Sequence, residues 1–538
     1  MIGADAVVKC LEKEGVTTLF GYPGVAICPF FNSILNTKIE SILVRSEQNA
    51  AHAASGYARV SGKAGVCVAT SGPGATNLIT GIATAYADSI PLICITGQVD
   101  SNLLGSDVFQ EADITGAAES FVKYSYLVKD VSDIPRIMKE AFHIAQTGRK
   151  GPVLIDIPID IQNKTIQNFR YPESVNLRTY KPTVKGHAVQ LKKVSKELGR
   201  AKKPLICAGG GVILSGAQKE LCDFSHKYKI PVVSTMMGIS AMSSSDPLYY
   251  GMIGNNGRSC ANKAMQESDL LIVIGARIAD RAVSSPDLVA KDTVLIHIDV
   301  DPAEIGKNVG PTIPIVGDIK HIFNDLAKDT VQCNFKIWTD TLDRYRNAEK
   351  PRKKPHKGYV DPALFVTTLS NRLNDRAVYV ADVGQNQMWS CMYYVAKSGR
   401  FLTSGGMGTM GYSIPAAIGA KMADKRLQVV AVCGDGSFQM SMNELATMAE
   451  NKTDVKVIVF NNGYLGLVRE YQHNTYNKKY SMVDLGSYPD LSKIAEAYSM
   501  PYLRLSDNKD MEKAIDDLLA TKGSAIMECI IDPMDTVK

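Results

Sequence analysis

The 538-residue sequence has no apolar run that approaches the ~18 residues a membrane-spanning helix needs. None of its eleven cysteines forms a C-x-x-C pair, so nothing supports a zinc site. Several, such as Cys67, Cys94, Cys207 and Cys433, sit inside apolar runs. They read as small buried hydrophobes in a reducing compartment. No charge dominates: 60 Lys and Arg face 55 Asp and Glu, a net of +5. The densest basic patch, RKKP at 352–355, reads as a solvated linker and not as a nucleic-acid site. There is no short-period repeat. The opening stretch MIGADAVVKCLEKEG carries acids within an amphipathic helical pattern, so neither a signal nor a transit peptide is expected. These absences lead to the expectation of a soluble cytoplasmic protein with neither membrane nor nucleic acid as partner.

What is present is a steady alternation of strand-length apolar runs and helix-length amphipathic segments. GVCVAT (65–70), PLICIT (91–96), GPVLIDI (151–157), PLICAGG (204–210), DLLIVIG (269–275), TVLIHIDV (293–300), AVYVADV (377–383), QVVAVCGDG (428–436) and VKVIVF (455–460) are β-branched and nearly continuous. Strands buried on both faces of parallel sheets have this composition. The alternation predicts an α/β fold with right-handed crossovers. Two polar, proline-containing stretches, 162–186 and roughly 333–360, break the rhythm and read as linkers. Three doubly wound parallel-sheet domains are expected, at 1–165, 186–330 and 360–538. The first and third look alike in rhythm only.

The stretch VIVFNNGYLGLVREYQ (457–472) poses the functional question. Asn-Gly between apolar runs is a hairpin signal. The alternative is that Asn461 and Asn462 hold something. An earlier strand ends in Gly434-Asp435-Gly436, and a β–α–β unit would put both strand ends on one edge of a sheet. Asp435 and Asn462, 27 positions apart, could then converge where open α/β sheets bind ligands. One carboxylate and one amide oxygen suit Mg²⁺ shared with phosphate. The N–H groups of Gly436 and Ser437 favour an anion. Gly-Asp-Gly and Asn-Gly are each common turns; their pairing at this spacing asks for a Mg²⁺-bridged diphosphate. The junctions FGYPGVA (20–26), with Pro23 and Gly24, and TSGPGATN (70–77) allow close backbone approach in the same way.

GDG followed by NN resembles the cofactor motif of thiamine diphosphate (ThDP) enzymes. RSEQNAAHAASGYAR (45–59) is similar to their segment around a catalytic glutamate. TGQVDSNLLGSDVFQEADITG (96–116), 123–162, GARIADR (275–281), HIDVDPAEIGKN (297–308) and LTSGGMGTMGY (402–412) resemble the acetohydroxyacid synthase catalytic subunits over almost the whole chain. The resemblance implies pyrimidine-binding, central and diphosphate-binding domains in that order. It makes Asp435, Asn462 and the backbone carbonyl of Tyr464 the Mg²⁺ ligands, and Glu47 the partner of the cofactor's pyrimidine. Pro23, Gly24, Gln385, Asn386, Gly408, Gly434, Gly436 and Ser437 become ThDP contacts, with Met410 propping its two rings. FAD, in a role that is not redox, is implied at Gly209, Gly210, Gly211, Thr235, Arg277, Asp299 and Asp318. Phe109, Gln110 and Lys123 would line the substrate channel, and Arg281 would meet the acceptor's carboxylate. The implied reaction is decarboxylation of pyruvate and ligation to a second 2-oxo acid. The product is 2-acetolactate or 2-aceto-2-hydroxybutyrate, in branched-chain amino acid biosynthesis. A homodimer or tetramer with active sites between subunits is implied, with a small regulatory subunit as a candidate partner.

The sequence also departs from that family. Tyr471 stands where Trp is usual, a position linked to acceptor preference. Asp100 replaces Pro or Ala near the channel mouth, and Ala279 replaces Asp. Ser46, Asn256 and Asn386 stand where His is common. The chain ends at IIDPMDTVK, before the tail that folds over the active site in the family. These differences leave two rivals: another ThDP-dependent lyase or decarboxylase with a different donor or acceptor, and a cofactor-binding homologue without turnover.

Overall fold

The computed structural model describes residues 1–279, 292–350 and 352–537. Its described residues form three six-stranded sheets, and every strand pairing within them is parallel. The first sheet comprises β1 (Thr18–Gly21), β2 (Glu40–Leu43), β3 (Gly65–Ala69), β4 (Leu92–Gln98), β5 (Tyr124–Leu127) and β6 (Pro152–Pro158), in the order 2-1-3-4-6-5. The second comprises β7 (Pro204–Ala208), β8 (Val232–Ser234), β9 (Tyr249–Met252), β10 (Leu270–Ile274), β11 (Val294–Asp299) and β12 (Ile313–Val316), in the order 12-11-10-7-8-9. That is the strand order of dinucleotide-binding sheets. The third comprises β13 (Val378–Ala381), β14 (Arg400–Leu402), β15 (Val429–Gly434), β16 (Val455–Asn461), β17 (Tyr502–Leu505) and β18 (Ala525–Ile530), in the order 14-13-15-16-18-17. The first and third sheets therefore share a topology as well as a rhythm.

The continuous apolar runs are the central strands. β3, β4, β6, β7 and β10 are buried at every residue, because helices cover both faces. One expectation fails. Residues 336–347, read as linker, form the helix Lys336–Asn347. Trp338 and Leu342 on it are buried against the second sheet, and Trp338 Nε1 donates to the Pro204 carbonyl at 3.0 Å. Only Trp338 and Leu342 of this polar helix are buried, while Ile337 faces solvent, so the apolar period is too weak to be seen in the sequence.

The first and third domains are joined by two helices, Glu47–Ser61 and Ser413–Ala423, packed backbone to backbone. A Cβ on Gly56 would lie far inside van der Waals contact distance of the Ala416 carbonyl oxygen, and one on Gly419 equally far inside that of the Ala53 carbonyl oxygen. Neither obstacle is a movable side chain. Gly56→Ala is expected to push the helices apart and cost about 3 kcal/mol, the upper end of ordinary overpacking. Urea denaturation of the two proteins checks this.

Candidate active site

The third sheet reverses its winding between β13 and β15, the point at which open sheets bind ligands outside their carboxyl edge. β15 runs there into the helix Asp435–Gln439, β16 ends at Asn461, and β13 leads through Asp382 into the helix Gln385–Tyr393. Asp435, Asn462 and Tyr464 line one small cavity of about 60 Å³, together with Gln385, Asn386 and Met410. The parallel register pairs Gly434 with Phe460, so the spacing of the two motifs is what brings them together. Asn461-Asn462-Gly463 is therefore no hairpin between antiparallel strands.

Asp435 is buried. Its Oδ1 accepts from Gly436 N at 2.9 Å and its Oδ2 from Gly463 N at 2.7 Å. Burial pushes its carboxyl up to about 6, against the pull of these N–H groups. Asn462 Oδ1 accepts from Tyr464 N at 3.0 Å, and its Nδ2 donates to Gln385 Oε1 at 3.2 Å. This fixes the amide with its oxygen towards Tyr464. A buried carboxylate, an amide oxygen and neighbouring carbonyls form a hard, oxygen-only donor set that fits Mg²⁺. Gly434 and Gly436 line the same cavity, as does Ser437, whose hydroxyl is engaged with its own turn at Gly434. Asn386 Nδ2 is held by the carbonyls of Asp382 and Val432.

A second cluster lies at the equivalent edge of the first sheet. Glu47 opens the helix after β2, half-buried, and accepts from Asn77 Nδ2 at 3.0 Å. Gly74 approaches its Oε1, Gly72 abuts Gln110, and Gly24 abuts Thr70. Gln110 is held at φ +61°. Pro23, Gly24, Glu47 and Gln110 thus share one corner, with Phe109 beside it fully in solvent, 87% exposed. Glu47 lines neither the small cavity around Asp435 nor the larger one described next.

That larger cavity, about 630 Å³, sits over the switch point between β7 and β10. Gly210, Gly211, Thr235, Arg277, Asp299 and Asp318 line it. Gly209 does not; it packs against Gly275 and Ala276. Burial pushes Asp299 up to about 6. The size and the glycine-edged switch point fit a dinucleotide. Gly408 and Asn256 also line this cavity and not the small one around Asp435.

Other residues lie elsewhere. Lys123 Nζ is turned into its own domain, bonded to the carbonyls of Ile144 and Thr147 and to Tyr180 OH, and burial lowers its pKa to about 7. Asp100 caps the turn Ser101–Leu103. Tyr471 is exposed on the helix Gly466–Thr475, its ring edge-on to Tyr476. Arg281 lies outside the described residues.

Comparison with known proteins decides the family. Residues 1–117, 191–326 and 382–529 match the N-terminal TPP binding domain, the central domain and the C-terminal TPP binding domain of thiamine pyrophosphate enzymes. A probable acetolactate synthase large subunit from Methanocaldococcus jannaschii is 43% identical, covering 100% of this chain and 93% of its own. The acetolactate synthase of Arthrospira platensis is 42% identical over 98% of this chain and 93% of its own. The large subunit from Corynebacterium glutamicum is 43% identical over 96% and 84%. The chain belongs to the acetolactate synthase large-subunit family.

Three residues of this family member escaped the sequence reading. Asp382, fully buried, accepts from Gly411 N at 2.9 Å and Ser413 N at 2.7 Å, and so clamps the loop that carries Met410. Glu444 accepts from Arg45 N at 2.8 Å and Asn49 Nδ2 at 3.0 Å, tying the metal-motif segment to the turn before Glu47. Arg149 lines the large cavity and pairs with Asp301 and Glu304. An acid inside MNELATM and an arginine between a helix and GPVLIDI were the only signals.

Proposed function

We infer that the chain is a ThDP-dependent acetolactate synthase catalytic subunit, which decarboxylates pyruvate and joins the remaining two carbons to a second 2-oxo acid. The observation that carries this is the convergence of Asp435, Asn462 and Tyr464 in one cavity, in a chain 43% identical over its full length to an acetolactate synthase large subunit. In this reading Asp435, Asn462 and the Tyr464 carbonyl hold Mg²⁺, and Gln385 and Asn386 face the diphosphate. Bound ThDP supplies a nucleophilic carbon and an electron sink. Met410 shapes the cofactor's seat, and Glu47 holds a proton at its carboxylate for the aminopyrimidine. The large cavity takes FAD through Gly210, Gly211, Arg277, Asp299 and Asp318.

The active unit is at least a homodimer. Among the described residues the small cavity at Asp435 is lined by third-domain residues alone, and Glu47 opens into neither cavity of its own chain. A second copy must bring its Glu47 to the site. Exposed Tyr22, Val25 and Phe109 near the Glu47 corner, and Met440, Tyr471 and Met482 beyond the other, offer apolar surface for that contact. The eleven free thiols suit the cytoplasm. The place of the reaction is branched-chain amino acid biosynthesis. Tyr471 is assigned to acceptor choice, and a small regulatory subunit remains a partner to be sought by co-purification.

Purified protein with ThDP, Mg²⁺, FAD and pyruvate is expected to form 2-acetolactate, and 2-aceto-2-hydroxybutyrate when 2-oxobutyrate is added. Release of carbon dioxide without either product would replace the reading by a decarboxylase.

A further inference from the structure

We propose that Asp88 is a positioning residue that couples the two cavities, by pinning the one loop that both depend on. Asp88 ends the helix Ile79–Ala87 in the first domain. Its side chain is fully buried in an ion pair with Arg59 at 2.6 Å. Arg59 also donates to the Thr403 carbonyl at 2.8 Å and lies over the Tyr412 ring. The remaining capacity of the carboxylate goes to the third domain: Oδ1 accepts from Gly406 N at 2.7 Å and Oδ2 from Gly405 N at 3.3 Å. One residue pair thus fixes the start of the loop Thr403–Thr409. At its far end, Thr84 Oγ1 meets Thr409 Oγ1 at 2.7 Å.

The loop stands between the two binding regions. Ser404 to Gly408 line the large cavity, as does Met237 of the middle domain, which abuts Gly405. Met410, next after Thr409, lines the diphosphate cavity. Val383 and Leu467 line both. A ligand that orders the loop from one side therefore orders it for the other. Binding in either cavity raises affinity in the other, and the coupling is reciprocal by linkage. The geometry needs a carboxylate at position 88. An asparagine would present an N–H₂ to donors that all point inward, and one of the three bonds would become a repulsion.

The inference rests on the flavin reading of the large cavity, and one experiment separates the two. FAD binding is measured by equilibrium dialysis, with and without saturating ThDP and Mg²⁺. ThDP·Mg²⁺ binding is measured by the fluorescence of Trp389, which lines the diphosphate cavity. Wild type is expected to bind each ligand about tenfold more tightly in the presence of the other. Asp88→Asn is expected to weaken both ligands and to abolish that mutual effect. Thr84→Val, which removes the hydroxyl contact with Thr409 and a local bond to the Thr80 carbonyl of its own helix, is expected to reduce the mutual effect without loss of folding. If Asp88→Asn does not fold, Thr84→Val decides. An unaltered mutual effect in the folded variants overturns the proposal, even if their melting temperatures fall. Equal binding of each ligand with and without the other in wild type also overturns it. Wild-type protein that binds ThDP·Mg²⁺ but no FAD refutes the flavin reading, and the coupling with it.

Discussion

Glu47→Gln lowers acetolactate formation by about 10³-fold, the middle of the range for a positioned acid–base group, while ThDP binds nearly as before. The carboxylate opens the helix Glu47–Ser61 and takes one hydrogen bond, from Asn77. Glutamine keeps that acceptor and the side-chain length, so the corner with Gly74 and Gln110 should stand. What it loses is the ability to share a proton. In the proposed reading the third domain holds the diphosphate end of the cofactor, so affinity should change little. Initial rates with pyruvate and a Trp389 titration separate the two effects. Full activity in the variant would remove Glu47 from its assigned role. Because the carboxylate is expected to serve the partner's cavity, mixed dimers give a second test. A Glu47→Gln chain and an Asp435→Asn chain are both inactive alone. Together they should recover activity in the mixed species, which carries one intact site.

Asp435→Asn abolishes ThDP binding at ordinary Mg²⁺ concentrations, with apparent affinity falling by about 10²-fold, or roughly 3 kcal/mol. Among the described residues Asp435 is the only carboxylate lining its cavity, so no neighbour there can replace its charge. Asparagine retains an acceptor for one of the two N–H groups that Asp435 now receives. The fold should survive, and raising Mg²⁺ should recover part of the binding. A wild-type protein saturated at 100 times its dissociation constant gains about 2.7 kcal/mol of stability. Thermal melts should therefore rise with ThDP·Mg²⁺ in wild type and stay flat in the variant. An equal rise in both would refute the metal assignment.

The sequence disclosed more of the frame than of the machinery. Long buried strands such as β4, β6 and β16 could be read directly, because burial on both faces leaves an unbroken apolar run. Short strands such as β14, β8 and β12 could not; three or four residues hold too little pattern. At the site, the meeting of Asp435 with Asn462 was legible because both close strands adjacent in chain order. The roles given to Glu47 and to the residues assigned to FAD came only from resemblance. Asp382, Asp88 and Glu444 were invisible for one shared reason. Each is a carboxylate whose partners are N–H groups from distant segments. Nothing local in ADSIP, VADVG or MNELA announces which backbone will arrive. Lys123 shows the converse: a cation matched to a channel by resemblance is spent inside this chain on carbonyls and Tyr180.

The crossing of Glu47–Ser61 with Ser413–Ala423 has one more consequence. Each helix leads into the third strand of a sheet with the same strand order. Ala53 and Gly419, which touch at the crossing, are each the seventh residue of their helix. The contact of Gly56 with Ala416 lies to one side of that point, ten residues into one helix and four into the other. The two numbers run in opposite senses from a shared centre, as in an isologous interface, the kind two identical subunits make about a dyad. The first and third domains are thus arranged like two subunits of a dimer, with the same strand order on each side of the crossing. At that point a Cβ on Gly419 would meet the backbone carbonyl of Ala53, which no smaller side chain opposite can remove, so a substitution at Gly419 should not be rescued by a second change at Ala53.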